Sequence, residues 1–149
     1  MTGGPPSGGG APLPRDVPPR IPYDFAVLRA VPHPHLEWWA PVGVVVHART
    51  ADFVGARTLE DPDELAARVP DLDPALLLRY LNAWAGIAEA REDAGPVALL
   101  PPSERFHWLT CPRSDVLQCS KVHGGMCEDP RAVLDELWEE RVGAWRGDR

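Results

Sequence analysis

Three times in this chain an aspartate stands directly before a proline: Asp61-Pro62, Asp73-Pro74 and Asp129-Pro130. Each pair marks the start of a helix. The carboxylate accepts from free amides of the first turn, and proline loses nothing there because its missing N–H would have no partner. These marks fix where helices begin and leave the rest of the chain to sheet and loop. Downstream of Pro74, Leu77, Leu81, Trp84 and Ala88 recur at helical spacing to about Ala90 and are expected to face the core. Downstream of Pro130, Leu134, Leu137, Trp138 and Val142 line one side, while Asp135, Glu136, Glu139 and Glu140 turn mostly outward.

The segments outside the helices read as strands. In Tyr23 to Val31 the odd positions Tyr23, Phe25, Val27 and Val31 form one face, and Ala26, Leu28 and Ala30 the other. A strand apolar on both faces belongs inside a sheet. Pro32 and Pro34 stop it. Trp38 to Ala48 is a second strand, with Pro41 and Gly43 marking a bulge or bend, and Phe53 to Leu59 a third. Phe106 to Thr110 and Val116 to Ser120 read as a hairpin whose loop holds Pro112, Arg113 and Ser114. The expected order is β-β-β-α-α-β-β-α. It describes a single α+β domain over residues 23–145, with a mainly antiparallel sheet of about five strands and three helices. Residues 1–22 contain 12 Gly or Pro and no apolar periodicity, so they read as a disordered tail; residues 146–149 form a short C-terminal tail.

The net charge of −7 narrows the function classes. Nine carboxylates against four arginines between Arg57 and Asp93 repel a phosphate backbone and argue against general nucleic-acid binding. No apolar run has the length of a signal peptide core or a membrane span, so a cytoplasmic protein is expected. Cys111, Cys119 and Cys127 are an odd set and read as free thiols. There is no Walker loop, dinucleotide fingerprint or His-Glu-x-x-His, and no cofactor is expected.

The window Arg105 to Gly125, RFHWLTCPRSDVLQCSKVHGG, gathers the densest set of groups that bind or react. Together with Tyr23, Arg29, Val31, Pro32 and the Val42-Gly43-Val44 step, its residues Arg105, Phe106, Trp108, Leu109, Thr110, Pro112, Arg113, Ser114, Val122, His123 and Gly125 resemble a bacterial family known as domain of unknown function 3037. The resemblance covers nearly all of Tyr23 to Val142. This chain departs from the family pattern where Pro41 replaces an asparagine, Trp38-Trp39 an acidic-aromatic pair, Cys111 an alanine and Lys121 a proline. The resemblance implies a small bacterial protein of a kind often encoded beside HipA-type serine/threonine kinases; composition and spacing carry no such information.

The residues themselves leave several sites open. Arg113 and Ser114 in a turn, flanked by Arg105 and Lys121, are a candidate anion site for a phosphate or carboxylate. The opposing expectation is that Arg113 caps or salt-bridges a neighbouring helix. Arg29 interrupts an apolar strand face and needs a partner, either Glu37 or a bound anion. Trp38 and Trp39 point to opposite sides of a strand, so one is an exposed candidate anchor, whereas Trp84, Trp108 and Trp138 have core spacing. A zinc set would come from Cys111, Cys119, His123 and Cys127. An enzyme would use His107 and His123 with Ser114 or a cysteine, which requires both imidazoles in one pocket. The reading that follows is a non-catalytic accessory or binding protein. It engages a protein partner or an anionic ligand through Arg105–Gly125, with Arg29, Trp39, His107, Trp108, Arg113, Ser114, Lys121 and His123 as the binding residues. The alternative is the small enzyme.

Overall fold

A computed structural model describes residues 19–113 and 115–147. Three long strands come first: β1 (Ile21–Ala30), β2 (Ala40–Ala48) and β3 (Phe53–Thr58). Helices α1 (Pro62–Arg68), α2 (Pro74–Ala88) and α3 (Pro102–Thr110) follow, then β4 (Leu117–Cys119), β5 (His123–Cys127) and α4 (Pro130–Trp138). The domain is α+β with a five-stranded antiparallel sheet, and the described residues hold four α-helices where three were expected. The strand begins at Ile21, two residues earlier than expected. Residues 1–18 of the expected tail lie outside the described residues, as do 148–149.

All three Asp-Pro pairs act as anticipated. Asp61, Asp73 and Asp129 accept from the amides of Asp63, Ala75 and Arg131 at 3.0, 3.1 and 3.0 Å. The extra helix is α3, and it overturns the hairpin. Pro102 takes the first helical position, where proline is tolerated, and Phe106 and Leu109 bury together at helical spacing. Thr110 Oγ1 donates back to the Phe106 carbonyl at 2.9 Å, a bond only a helical turn allows. Over five residues, Phe106, Trp108 and Thr110 also satisfy strand alternation, which is why the short run misleads.

The partner of β4 is therefore β1, and so is that of β5. The sheet order is β3-β2-β1, with β4 and β5 sharing the far edge of β1. β5 covers Ile21–Phe25 and β4 covers Leu28–Ala30. Ser120 bridges the break between them. Its N–H donates to the Val27 carbonyl at 2.8 Å, and its Oγ accepts from the Val27 N–H at 2.9 Å. The bulge expected near Pro41 and Gly43 is present. Leu28 pairs with Gly43 and Arg29 with Pro41, leaving Val42 as the extra residue.

The sheet is covered on both faces. One face (Ala26, Leu28, Val45, Ala56) packs under α1, α2 and α3 through Leu65, Leu77, Leu81, Trp84, Phe106 and Leu109. The other (Phe25, Val27, Val44, Val46) packs under α4 through Leu134 and Leu137. Trp84 and Trp138 pack as their spacing predicts. Arg68 ties the ends together: its Nη1 donates to the carbonyls of Pro41 (3.1 Å) and Val142 (2.7 Å), and its guanidinium lies over Trp145. Among the described residues no helix is long and apolar enough to cross a membrane.

Candidate functional site

The two halves of the apolar block around α3 do not close on each other. Between α2, the end of α3 and β4 they leave a groove of about 720 Å³, a size ordinary for a small ligand or an inserted side-chain cluster. One wall is Leu76, Leu77, Tyr80 and Trp84 of α2; the other is Trp108 and Leu109 with Leu117 and Cys119 of β4, and Leu28 lies beneath. The walls are apolar because α2 is apolar over more than its core stripe. Leu76 and Tyr80 stand one helical turn apart beside Leu77 and Leu81, and Tyr80 is left exposed.

Arg113 stands at the rim. Its guanidinium stacks on the Trp108 ring with Cζ 4.1 Å from the centroid, and its Nη2 donates to the Trp108 carbonyl at 2.9 Å. That carbonyl is in the last turn of α3, where no intrahelical donor is available. Arg113 thus ends the helix, as the capping alternative anticipated. It is not buried in a salt bridge: it is exposed, and among the described residues no carboxylate lies within ion-pair distance. Stacking and one carbonyl bond orient the fork and leave other N–H groups facing solvent. Asp73 and Asp115 also line the groove, so its field is mixed.

Other residues of the window go elsewhere. His107 is exposed on α3, which packs on one face of the sheet. His123 is exposed on β5, with its ring 5.4 Å from that of Phe25 in the core of the opposite face. Neither lines the groove, so the paired-histidine pocket required by the enzyme reading is not assembled. Lys121 is exposed in the break between β4 and β5, and Arg105 is buried at the start of α3. Ser114 lies outside the described residues. Among the described residues Arg29 meets neither Glu37 nor another carboxylate in ion-pair range. It stands on the other face of β1 from Leu28 and lies over Trp39, 4.1 Å from the ring centroid. Trp39 is the exposed member of its pair, and Trp38 packs toward the core and Trp145.

The cysteines do not form a metal site. Cys111 is exposed, Cys119 half-buried and Cys127 buried. Among the described residues no three His, Cys, Asp or Glu side chains gather closely enough to hold a metal ion, so the set Cys111, Cys119, His123 and Cys127 is set aside. Cys119 turns its thiol onto the Leu109 carbonyl at 3.3 Å, and burial pushes its pKa up to about 12. That is the opposite of an activated nucleophile.

His47 escaped the sequence reading. It ends the apolar run of β2 as a buried polar side chain, stacks on Phe106 at 4.9 Å and meets Ser103 Oγ at 3.3 Å through Nε2. Burial, opposed by Asp24, holds its pKa below the usual imidazole range. A histidine inside a valine run was the available signal.

Several motif residues have structural duties. A Cβ on Gly125 would meet the Tyr23 ring at 2.7 Å, and one on Gly43 would meet the Arg57 carbonyl at 3.0 Å. Tyr23 therefore packs across Gly125, and β2 approaches β3 closely at Gly43.

No curated protein and no solved structure matches the chain. A family model does match, over residues 25–142, which run from within β1 through α4 and take in both walls of the groove. This chain belongs to the family described as "Protein of unknown function (DUF3037)".

Proposed function

We propose that this protein is a binding module whose groove between α2, α3 and β4 receives an apolar segment of a protein partner. An acidic group on that segment, a carboxylate or a phosphate, is seated by Arg113. The observation that carries this reading is the Trp108–Arg113 stack: an oriented guanidinium without a carboxylate at the rim of an apolar groove. Aromatic and arginine side chains in such settings supply most of the energy of an interface. The mixed field from Asp73 and Asp115 favours a singly charged group over a dense anion. The HipA-type kinase implied by the family resemblance is the first partner to test.

The test is affinity purification of the tagged protein from its native host, with mass spectrometry of what is retained, for the wild type, Arg113→Ala and Trp108→Ala. The expected result is a stoichiometric partner lost from Arg113→Ala, whose fold is intact by circular dichroism. Retention of the same partner by Arg113→Ala would overturn the reading.

A further inference from the structure

The opposite end of α3 carries a second, separate arrangement. The helix starts after Pro101, which has no side chain able to cap it. Pro102 has no N–H, and the first intrahelical bond runs from Arg105 N to the Pro101 carbonyl at 3.0 Å. The amides of Ser103 and Glu104 are therefore the free donors of the first turn. Arg105 reaches back toward this start, with Nη1 on the Leu100 carbonyl at 2.7 Å. The residue is only 9% exposed, and its buried Nε has no acceptor. Among the described residues no carboxylate lies within ion-pair distance of it. Nη1 has its carbonyl, but an Nε donor withdrawn from water without an acceptor is unfavourable, so this guanidinium is incompletely satisfied by the protein alone. On the same helix start, Ser103 Oγ stands 3.3 Å from His47 Nε2, and Arg105 lies within electrostatic reach of that imidazole.

We propose that the N-terminus of α3 is an oxyanion site for a phosphate group, held by the amides of Ser103 and Glu104, the Ser103 hydroxyl and the guanidinium of Arg105. Two main-chain donors, a hydroxyl and a guanidinium match the several acceptor oxygens of a tetrahedral anion, and the helix dipole favours its charge. Arg49 and Arg105 act together on the neighbouring His47, with Asp24 and Asp52 opposing them, and Glu104 lies in the first turn itself, so the surroundings carry both signs of charge. The site does not depend on the groove at Arg113.

The full chain, labelled with nitrogen-15, is titrated with inorganic phosphate at constant ionic strength against chloride. Saturable shifts of the Ser103 and Glu104 amides are expected. Arg105→Lys should bind about tenfold more weakly, as loss of a charge-assisted bond requires, and Arg113→Ala should bind equally well. Because Arg105 is buried, Ser103→Ala is the second variant; its side chain is on an exposed residue, and about a two- to tenfold loss is expected. Tighter binding of a phosphoserine peptide at the same amides would support the site and identify its source as a phosphorylated protein. No saturable shift at the start of α3, shifts centred on Arg113, or undiminished binding by both variants would each overturn the proposal.

Discussion

Replacing Ser120 with alanine should weaken the domain more than any other loss of one oxygen atom from this edge of the sheet. Ser120 and Val27 are both 7% exposed, so the Val27 N–H is withdrawn from water. Its acceptor is the Ser120 hydroxyl at 2.9 Å, which in turn donates to the Lys121 carbonyl at 2.9 Å. Alanine removes the acceptor and leaves Val27 N–H buried without a partner. The cost is that of an unsatisfied buried donor, about 1–3 kcal/mol. The Lys121 carbonyl, in an exposed residue, regains water. For a domain of roughly 130 residues, about 4 °C of Tm corresponds to each kcal/mol, so a fall of about 4–12 °C is expected. Scanning calorimetry reads this, and urea unfolding with an unchanged m-value assigns it to stability. Hydrogen exchange adds a local readout: the Val27 amide should exchange faster while amides of β2 and β3 change only with global stability. The control is Gln118→Ala, which removes an exposed side-chain bond to the Asp115 carbonyl and should cost under about 0.5 kcal/mol. A Ser120→Ala protein that melts with the wild type and protects Val27 equally would refute the placement of β4 and β5 along β1.

Leu134→Ala should cost about 2–5 kcal/mol in urea unfolding, because α4 covers its face of the sheet and Leu134 is 2% exposed within that core. The stability curve should also carry the signature of His47. Its folded pKa is depressed by burial below the ordinary value near 6.5, so the unfolded chain binds the proton more readily. That contribution is complete above about pH 6.5 and is lost as pH falls from there toward the folded pKa. His47→Gln should flatten the acid side of the Tm profile over that interval, and an unchanged slope would contradict the assignment. Thiol accessibility should separate the three cysteines. In the native protein Cys111 should react with Ellman's reagent quickly and Cys119, with its thiol pushed up to about 12, only slowly; all three should react together in denaturant.

What the sequence made legible follows from how locally each signal is written. The Asp-Pro caps are complete within a few residues, so α1, α2 and α4 start where expected. The strands β1 to β3 are long enough for alternation on two faces to be distinguished from a helix. The segment Phe106–Thr110 is not: its five residues fit both periods, and the deciding feature, Pro102 at the first helical position, lies outside the run. Reading it as a strand required a partner, and the nearest candidate was Val116–Ser120, so one misread period created a hairpin. The true partner of both β4 and β5 is β1, with paired residues 87 to 106 positions apart in sequence. No local pattern encodes such a pairing.

The same distinction separates the parts of the candidate site. Arg113 was legible as a candidate because it sits among polar groups in a turn, but its stack on Trp108 was not, since it depends on a helix end where a strand was expected and on a tryptophan assigned to the core. The opposite wall was not visible, since Leu76 and Tyr80 look like extra core residues until α3 and β4 stop short of covering them. Conversely, His107 and His123 looked like a pair because they share a window, yet the sheet separates the layers they occupy. Placing Phe106–Thr110 in a helix rather than a strand also sends Arg105 and Arg113 to opposite ends of one element. One arginine then lies at the helix start, donating to the Leu100 carbonyl beside the free amides of the first turn, and the other donates to a free carbonyl of the last turn. Those surroundings call for different partners, an anion completing a buried charge at Arg105 and an acidic group docking on a stacked, exposed one at Arg113. The two arginines are therefore expected to respond independently: loss of Arg113 should abolish partner capture without changing phosphate binding, and loss of Arg105 should weaken phosphate binding while the Arg113 stack on Trp108 persists.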